Sequence, residues 1–361
     1  MLWGNNQRII IAAFVLAGAM CMSSGAYGSE GLMPVPKGVE SPGYNPTSAG
    51  KVELGKKLFF DRRLSGDGTM SCSSCHMPEA GFSDNLPISL NYPTTRNWRN
   101  SPTLINVAYL TSLFHDGRAS TLEEQALFPM MSAFEMNQNL DYLEEEIREV
   151  PEYVAAFEEV FGGGVTRQRI AMAIAAFERT LVSRNSPLDL YLRGDRKALS
   201  SEARKGLKLF TGKAGCVRCH NGANLSDGEF YYTGAPENEH VRSDPRTLIT
   251  VRFVAKVSGY KDYESLNEDP GRFLVTGEAR HWKAFRTPTL REVSRTAPYM
   301  HNGSLGTLED VVEFFDRGGG SGNTAGLKPL GLSKSEKKAL VTFLAEGLAG
   351  DEIVVKYPEI P

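Results

Sequence analysis

Residues 72–76 read Cys-Ser-Ser-Cys-His, and residues 216–220 read Cys-Val-Arg-Cys-His. This C-x-x-C-H pattern is the attachment motif of c-type haem, in which two thiols add across the vinyl groups and the adjoining imidazole ligates the iron. A redox dithiol or half of a zinc site would share the C-x-x-C spacing, but two copies followed at once by histidine favour haem. We therefore expect two covalently bound haem c groups, with one iron on each histidine. The expected attachment residues are Cys72, Cys75, His76, Cys216, Cys219 and His220.

The first 28 residues have the composition of an export signal. Arg8 supplies a positive charge, an apolar run covers residues 9–20, and residues 26–28 (Ala-Tyr-Gly) offer a small-x-small cleavage site. The alternative is a retained anchor, but the run is shorter than the roughly 20 apolar residues that a spanning helix needs. We predict a signal peptide at residues 1–28 and a periplasmic protein that is not attached to the membrane after cleavage.

The rest of the chain has the composition of a globular protein. The sequence of 361 residues is 41% hydrophobic and carries a formal net charge of −3. No block of lysine and arginine indicates nucleic-acid binding. About 330 residues after the signal are enough for two domains on a length of roughly 150 residues each.

The two halves of the chain repeat short motifs at matching offsets. A Gly-x-x-Leu-Phe sequence precedes each haem motif, at residues 55–59 and 206–210. In each half a Pro-Thr-Leu motif is followed, thirteen residues after its proline, by a histidine: His115 in the first and His301 in the second. We infer two copies of one haem-binding unit. Their predicted limits are residues 45–184 and residues 185–350.

Apolar spacing and end signals predict a chain made mostly of helix and loop. Ser333 with Glu336 three residues on is a capping box. The segments at 84–99 and 228–280 lack clear periodicity and are expected to be long loops. Other helices are predicted at residues 48–60, 140–161, 166–184 and 201–210.

The order of motifs resembles that of the bacterial di-haem cytochrome c peroxidases and their MauG-like relatives. Besides the two C-x-x-C-H sequences, the chain contains Arg-Asn-x-Pro-Thr-Leu, Phe-x-Asp-Gly-Arg, Glu-Gln-Ala, Phe-Glu-Met and Thr-Ala-Pro-Tyr in that family's order, from about Gly55 to Leu348. The resemblance implies a mainly α fold of two cytochrome-c-like haem domains related by internal duplication. It also implies a peroxidatic N-terminal haem, an electron-transferring C-terminal haem and a calcium ion between the domains.

Further site residues are carried over from the resemblance. Glu135 and Gln125 match the distal glutamate and glutamine of the peroxidatic haem, where a carboxylate can move a proton between the oxygens of peroxide. Without the resemblance both would be interpreted as solvated helix or surface residues. Asn100, Thr296 and Pro298 match positions that offer oxygens, largely backbone carbonyls, to calcium.

Two departures concern the region between the haems. Residues 77–99 contain no histidine, so the first haem lacks the removable distal histidine of many family peroxidases and is expected to be open. His115 stands where the family usually has a tryptophan that passes oxidising equivalents. An equally weighted interpretation makes His115 the counterpart of His301, which in the family lies near the haem propionates.

A third departure concerns the second haem. Phe315 occupies its distal position, where the peroxidases have methionine and MauG has tyrosine, and a phenyl ring cannot bind iron. Met300 is the alternative ligand, although its repeat partner Phe114 favours a core methionine. We therefore expect no methionine ligand at this iron.

The leading functional hypothesis is reduction of hydrogen peroxide to water with electrons from a small c-type cytochrome or cupredoxin. The first alternative is MauG-like, peroxide-driven oxidation of a side chain in a partner protein. The second is a protein without enzymatic turnover that transfers electrons or senses through haem. The sequence leaves the oligomeric state open between a monomer and a homodimer.

Overall fold

The computed structural model describes residues 31–92 and 95–361, apart from the side chain of His240. The signal peptide predicted at residues 1–28 lies outside the described residues. None of the helices within these ranges combines the length and the apolar composition that crossing a bilayer would require.

The structure is mainly α-helical, as predicted, with short 3₁₀ turns and a single two-stranded ribbon among the described residues. The N-terminal half contains α1 (Ala49–Phe60), α2 (Leu122–Met131), α3 (Leu140–Arg148), α4 (Pro151–Phe161) and α5 (Arg167–Glu178). The C-terminal half contains α6 (Pro187–Leu192), α7 (Ser201–Thr211), α8 (Glu239–Arg242), α9 (Pro245–Val257), α10 (Phe273–Thr276), α11 (Leu308–Asp316) and α12 (Lys334–Glu346). The antiparallel strands are β1 (Phe230–Tyr231) and β2 (Phe285–Arg286). The 3₁₀ turns are Arg62–Leu64, Cys72–Ser74, Pro78–Ala80, Val107–Tyr109, Cys216–Arg218, Tyr263–Ser265, Ala279–His281 and Val293–Arg295.

Several helices begin where their end signals predict. The hydroxyl of Ser48 accepts the N–H of Lys51 at the start of α1. Ser333 and Glu336 form the predicted capping box at the start of α12, each side chain accepting a backbone N–H of the other residue. The caps satisfy amide groups that the first turn of a helix leaves without partners.

The predicted helix at 140–161 is wrong, because the segment forms two helices. α3 ends before Pro151, and α4 begins with that proline at its first position. Proline disfavours helical backbone in the residue before it and has no N–H to donate, so it starts a helix more readily than it continues one. The predicted helix at 166–184 is correct in its cap, Thr166, but ends at Glu178.

The long loop predicted at 228–280 contains helices α8, α9 and α10. α9 was missed because its buried face includes two threonines, Thr247 and Thr250, while apolar Ile249, Phe253 and Val257 are exposed. The polar and apolar positions therefore do not separate with the 3.6-residue period that marks an amphipathic helix. This helix covers Trp98, which forms a small buried cluster with Val251, Ala255 and Leu266.

The two halves use the same close helix crossing. A methyl group on Gly55 of α1 would lie 1.8 Å from the carbonyl oxygen of Ala173 in α5, and one on Gly206 of α7 would lie 2.1 Å from that of Ala339 in α12. Only a residue without a side chain allows backbones to approach this closely. Four residues further along each helix, an edge-to-face ring pair forms at both crossings. The pairs are Phe59–Phe177 at 5.2 Å and Phe210–Phe343 at 5.4 Å.

The contact between the halves is reciprocal. The N–H of Asn100 in the first half donates to the carbonyl oxygen of His301 at 2.8 Å, and the N–H of Arg286 in the second half donates to that of His115 at 2.7 Å. Buried apolar side chains form one cluster between Leu54 and Leu181 and another between Leu188 and Leu348, which also includes Leu32. The backbone on either side of the two histidines thus joins one core to the other.

Candidate functional site

Each C-x-x-C-H motif forms one 3₁₀ turn that brings its histidine back over its first cysteine. The N–H of His76 donates to the carbonyl oxygen of Cys72 at 3.0 Å, and the N–H of His220 donates to that of Cys216 at 2.9 Å. The turn holds two thiols and an imidazole close together in sequence and in space. This is the arrangement that covalent attachment of a haem needs.

Both histidines are fixed with one ring nitrogen left for a metal. Nδ1 of His76 lies 3.0 Å from the carbonyl oxygen of Phe82, and Nδ1 of His220 lies 3.0 Å from that of Leu225. A carbonyl can only accept, so Nδ1 carries the proton and Nε2 keeps its lone pair. Burial lowers the pKa of both imidazoles, which keeps them in the neutral form that metal ligation requires.

The four described cysteines are free thiols. Burial raises the pKa of Cys75 and of Cys216 to about 12, and it raises the pKa of Cys72 and Cys219 as well. Burial therefore favours the protonated form of these thiols at neutral pH. Free thiols are the groups that form thioether bonds to a haem.

A cavity opens beside the first motif. Cys72, Cys75 and His76 line it, together with Gln125 and Glu135. The structure therefore brings two residues predicted to act together to the cavity in which a haem on His76 would lie, and the residues fit that group.

Glu135 is presented by a tight turn after α2. Its carbonyl oxygen accepts the N–H of Tyr92 at 3.1 Å, and the neighbouring Phe134 ring packs edge-on against Trp98 at 5.4 Å. These contacts hold the turn that carries Glu135 against the segment around Tyr92 and Trp98. No hydrogen bond to its carboxylate, or to the side-chain amide of Gln125, comes from another described residue, so both polar groups can act on a bound molecule.

His115 lines the same cavity but is held by the backbone. Its Nε2 donates to the carbonyl oxygen of Asn100 at 2.9 Å. Burial, helped by the charge of Arg99, lowers the pKa of His115 to about 4. The imidazole is therefore neutral at physiological pH. Its repeat counterpart His301 stacks on Phe285 with ring centroids 3.7 Å apart, and burial lowers the pKa of His301 to about 3.

The predicted calcium ligands lie at the contact between the halves. The backbone carbonyl of Asn100 accepts a hydrogen bond from His115. The side-chain nitrogen of Asn100, Nδ2, donates to the carbonyl oxygen of Leu86 at 2.7 Å. Its remaining side-chain oxygen is an acceptor of the kind calcium binds. Thr296 uses its hydroxyl to donate to Val293 at 3.3 Å. Among the described residues, no group of three or more histidine, cysteine or acidic side chains could hold a metal ion, so a cation here would depend on neutral oxygens.

The candidates for the distal position of the second haem differ in their backbone. Phe315 is a partly buried residue of α11 whose ring lies 5.0 Å from that of Phe314. Met300 has a left-handed backbone with φ of 73°, and its counterpart Phe114 has φ of 64°. The matching conformation shows that Met300 occupies a turn position used by a phenylalanine in the first half.

An ion network around Arg99, which was not predicted from the sequence, joins the two halves. Its guanidinium bonds the carboxylate of Asp116 at 2.6 Å and that of Asp269 at 2.6 and 2.9 Å. Burial is the largest single influence and would raise the pKa of both carboxyls, but the combined charges and hydrogen bonds of their partners, with Arg99 foremost, lower both pKa values. Arg99 appeared in the family motif, but nothing local to it indicated Asp269, which is far away in sequence.

The second missed residue is Glu178, at the end of α5. Its side chain lines the first cavity and is buried, and its Oε2 atom has no hydrogen-bond partner in the described structure. Burial raises the pKa of Glu178 to about 8, against the opposing charge of Arg179 and with the help of Glu123. The sequence feature that could have identified Glu178 is its acidic side chain in α5, a helix whose other buried residues are apolar.

Comparison with known proteins gives concordant matches. A family model described as di-haem cytochrome c peroxidase matches residues 49–197. The chain is 42% identical over 361 residues to the cytochrome-c peroxidase IdrP1 of Denitromonas iodatirespirans, covering 98% of this chain and 96% of that protein. It is 34% identical over 330 residues to the methylamine utilization protein MauG of Methylorubrum extorquens, covering 90% of this chain and 86% of that protein. A crystal structure of a MauG-like protein associated with microbial copper homeostasis superposes with a TM-score of 0.73 at 28% identity, covering 88% of this chain and 93% of that one.

Proposed function

Because the chain belongs to the di-haem cytochrome c peroxidase and MauG family, and is an oxidoreductase of the cytochrome-c peroxidase type, we propose that it reduces hydrogen peroxide to water with electrons from a small redox protein. The observation that carries the proposal is the first cavity. There Glu135 and Gln125 face the space beside His76 without hydrogen bonds to other described residues.

The proposed architecture is two haem domains related by internal duplication, at residues 45–184 and 185–350. The repeated glycine crossings, Gly55 on Ala173 and Gly206 on Ala339, support it. So does the division of the buried apolar side chains into two clusters, with the change between Leu181 and Leu188.

The roles of the residues follow from their chemistry. When bound, the haem supplies an iron that can bind peroxide and exchange electrons. His76 would hold that iron through Nε2, with its proton fixed on Nδ1 by Phe82. Glu135 would accept a proton from one peroxide oxygen and return it to the departing oxygen. Gln125 would orient the peroxide by hydrogen bonding, since its amide both donates and accepts.

The second haem would receive electrons from the donor. Its iron would be held by His220, with Phe315 at the distal position and no strong sixth ligand. We further propose that a calcium ion lies near Asn100, Thr296 and Pro298, and that the protein acts in the periplasm after removal of residues 1–28. The donor would be a small c-type cytochrome or cupredoxin.

MauG-like oxidation of a partner protein is the second candidate. It is favoured by one feature, the absence of histidine from residues 77–99, which would leave the first haem open without reductive activation. His115 weighs against it, because a neutral imidazole is a poorer carrier of oxidising equivalents than the tryptophan usual in the family. Peroxide turnover with reduced cytochrome c supports the peroxidase, and a covalent change in a co-purifying protein supports the alternative.

Glu135→Gln tests the proposal. Removing a positioned acid–base group slows a reaction by roughly 10²–10⁴-fold, so peroxide reduction by the haem-loaded variant should fall by that factor while its haem content stays unchanged. Glu124→Gln is the matched control, because Glu124 lies in α2, the helix before the turn that carries Glu135, but is exposed and accepts the backbone N–H of Ser120. A Glu135→Gln protein that reacts with peroxide at the native rate would refute the distal assignment.

A further inference from the structure

One ionisable group in the first cavity has no part in the proposed chemistry. Glu178 is 4% exposed, lines the cavity that contains Cys72 and His76, and has a carboxylate oxygen without a hydrogen-bond partner in the described structure. A buried carboxylate without full hydrogen bonding is costly, and such a group tends to remain protonated.

The position that corresponds to Glu178 in the second half holds an uncharged residue. The crossings align Ala173 with Ala339, and counting five residues on from each places Glu178 opposite Leu344. Leu344 is a buried member of the second apolar cluster. The corresponding position of the helix frame thus holds an acid that lines the first haem cavity and, in the second half, an aliphatic residue of the apolar cluster against which Cys216 packs.

The charged groups that act on Glu178 are Arg179 and Glu123. Arg179, next along the chain, pairs with Glu123 of α2 at 2.7 Å. Glu123 also accepts from the amide of Asn45 at 2.6 Å, and Asn45 accepts from Lys51 of α1 at 2.9 Å. Arg179 and Glu123 act on Glu178 in opposite directions. Because these two are already paired with each other, neither fixes the charge of Glu178, and the charge of the haem beside it can decide.

We propose that Glu178 is a redox-linked proton site of the first haem: it takes up one proton when that haem gains an electron and releases it when the electron leaves. The ferric haem carries one more positive charge than the ferrous haem, so it favours the carboxylate and lowers the pKa of Glu178. Reduction removes that charge, and the buried carboxyl binds a proton from solvent. The inference rests on haem attachment at the first motif and not on the identity of the substrate.

The coupling would serve the proposed reaction. Reduction of one hydrogen peroxide to two waters consumes two electrons and two protons. An electron that arrives at the first haem would bring one of those protons into the cavity with it, while Glu135 moves the proton already on the peroxide. The second haem only passes electrons, and Leu344 would leave it without such coupling.

The test is the pH dependence of the two haem potentials in the full haem-loaded protein, measured by spectroelectrochemical titration. For a one-electron couple, a tenfold change in an equilibrium constant is about 59 mV. One potential of the wild-type protein should therefore fall by up to about 59 mV per pH unit between the pKa values that Glu178 has in the oxidised and reduced states. Below that range Glu178 stays neutral and the potential is higher.

Two variants separate the proposal from other sources of pH dependence. Glu178→Gln keeps the shape and polarity but cannot titrate, so the slope should disappear and the potential should stay near its low-pH value. Leu344→Glu should give a slope to the other haem, provided that two haems per chain are retained. A slope that survives in Glu178→Gln would overturn the proposal and assign the proton to a haem propionate or to Glu135.

The outcome is independent of the peroxidase activity. If peroxide turnover is absent but Glu178→Gln abolishes the slope, the proposed function fails and this inference stands. If turnover is normal and the slope persists, the inference fails and the function stands. Leu344→Glu that folds with two haems and shows no new slope would also contradict the inference, because the frame around both positions is the same.

Discussion

Replacing Arg99 by methionine is expected to destabilise the protein by about 3–5 kcal/mol, the usual loss when one partner of a buried ion pair is removed. The guanidinium is 6% exposed and bonds two carboxylates that are 6% and 11% exposed, Asp116 and Asp269. Asp116 would keep Arg118 at 2.9 Å, whereas among the described residues Asp269 would keep only the hydrogen bond from the N–H of Gly271, at 2.8 Å. The loss therefore comes mainly from Asp269, which would be left buried without a counter-charge.

The loss should depend on pH in a definite direction. In the wild-type protein the pKa values of Asp116 and Asp269 lie below the unfolded value of about 3.9, because the combined charges and hydrogen bonds of their partners, with Arg99 foremost, outweigh the effect of burial. Their stabilisation is therefore present above about pH 4 and is lost as the pH falls through the folded pKa values. In Arg99→Met the pKa of Asp269 rises and the carboxyl binds a proton more readily. The difference in stability between the variant and the wild-type protein should be greatest near neutral pH and shrink in acid.

Urea unfolding of the haem-loaded protein, followed by circular dichroism and by the Soret band, measures this difference. Arg317→Met is the control, because Arg317 is 68% exposed and lies 3.8 Å from Glu313, a surface pair of a kind that contributes about 0–1 kcal/mol. Asp269→Asn added to Arg99→Met should recover part of the loss, since an amide needs no counter-charge. The reasoning fails if Arg99→Met costs no more than Arg317→Met at pH 7, or if its cost increases as the pH falls.

Two further predictions concern the haems. Cys72→Ala and Cys216→Ala should each remove one c-type haem and loosen the half of the fold around it. A pyridine haemochrome assay should count two haems per chain in the wild-type protein and one in each variant. Any other wild-type count contradicts the interpretation of the C-x-x-C-H motifs. The resting ferric protein should give two high-spin signals in electron paramagnetic resonance, because neither iron is expected to have a strong sixth ligand. In Phe315→Met the signal of the second haem should become low-spin, and the reduction potential of that haem should rise. A native low-spin histidine–methionine haem would instead point to Met300 as the ligand.

The sequence predicted those parts of the structure that depend on neighbouring residues. The C-x-x-C-H motifs and the cap at Ser333 are complete within a few residues, so each specifies its own geometry. Glu135 and Gln125 were reached only through the resemblance, since neither has a local pattern that distinguishes it from a surface residue. The cavity that both line confirms that they lie together; their roles in catalysis remain predictions.

What the sequence could not predict depends on contacts between distant segments. Arg99 pairs with Asp269 across 170 positions of the chain, and no periodicity records such a contact. α9 was not predicted because its exposed face carries apolar residues. One of them, Phe253, packs against Phe134 of the first half, with ring centroids 6.1 Å apart. An apolar residue that makes a contact between the halves departs from the amphipathic spacing by which a helix is predicted from sequence.

The two halves place different side chains on the same arrangement of helices. The close crossings and the turns at Phe114 and Met300 are common to both halves, so the differences lie in side chains placed on that frame. Asp116 and Glu178 in the first half correspond to Asn302 and Leu344 in the second, and at both positions an acid is replaced by a neutral residue. Asp116 is held ionised by Arg99 and Arg118, so it contributes a fixed charge. Glu178 lines the first cavity with an oxygen that has no partner among the described residues, so it is the acid that can exchange a proton. Its replacement by Leu344 removes this proton site from the second half, which fits the electron-transfer role proposed for the second haem.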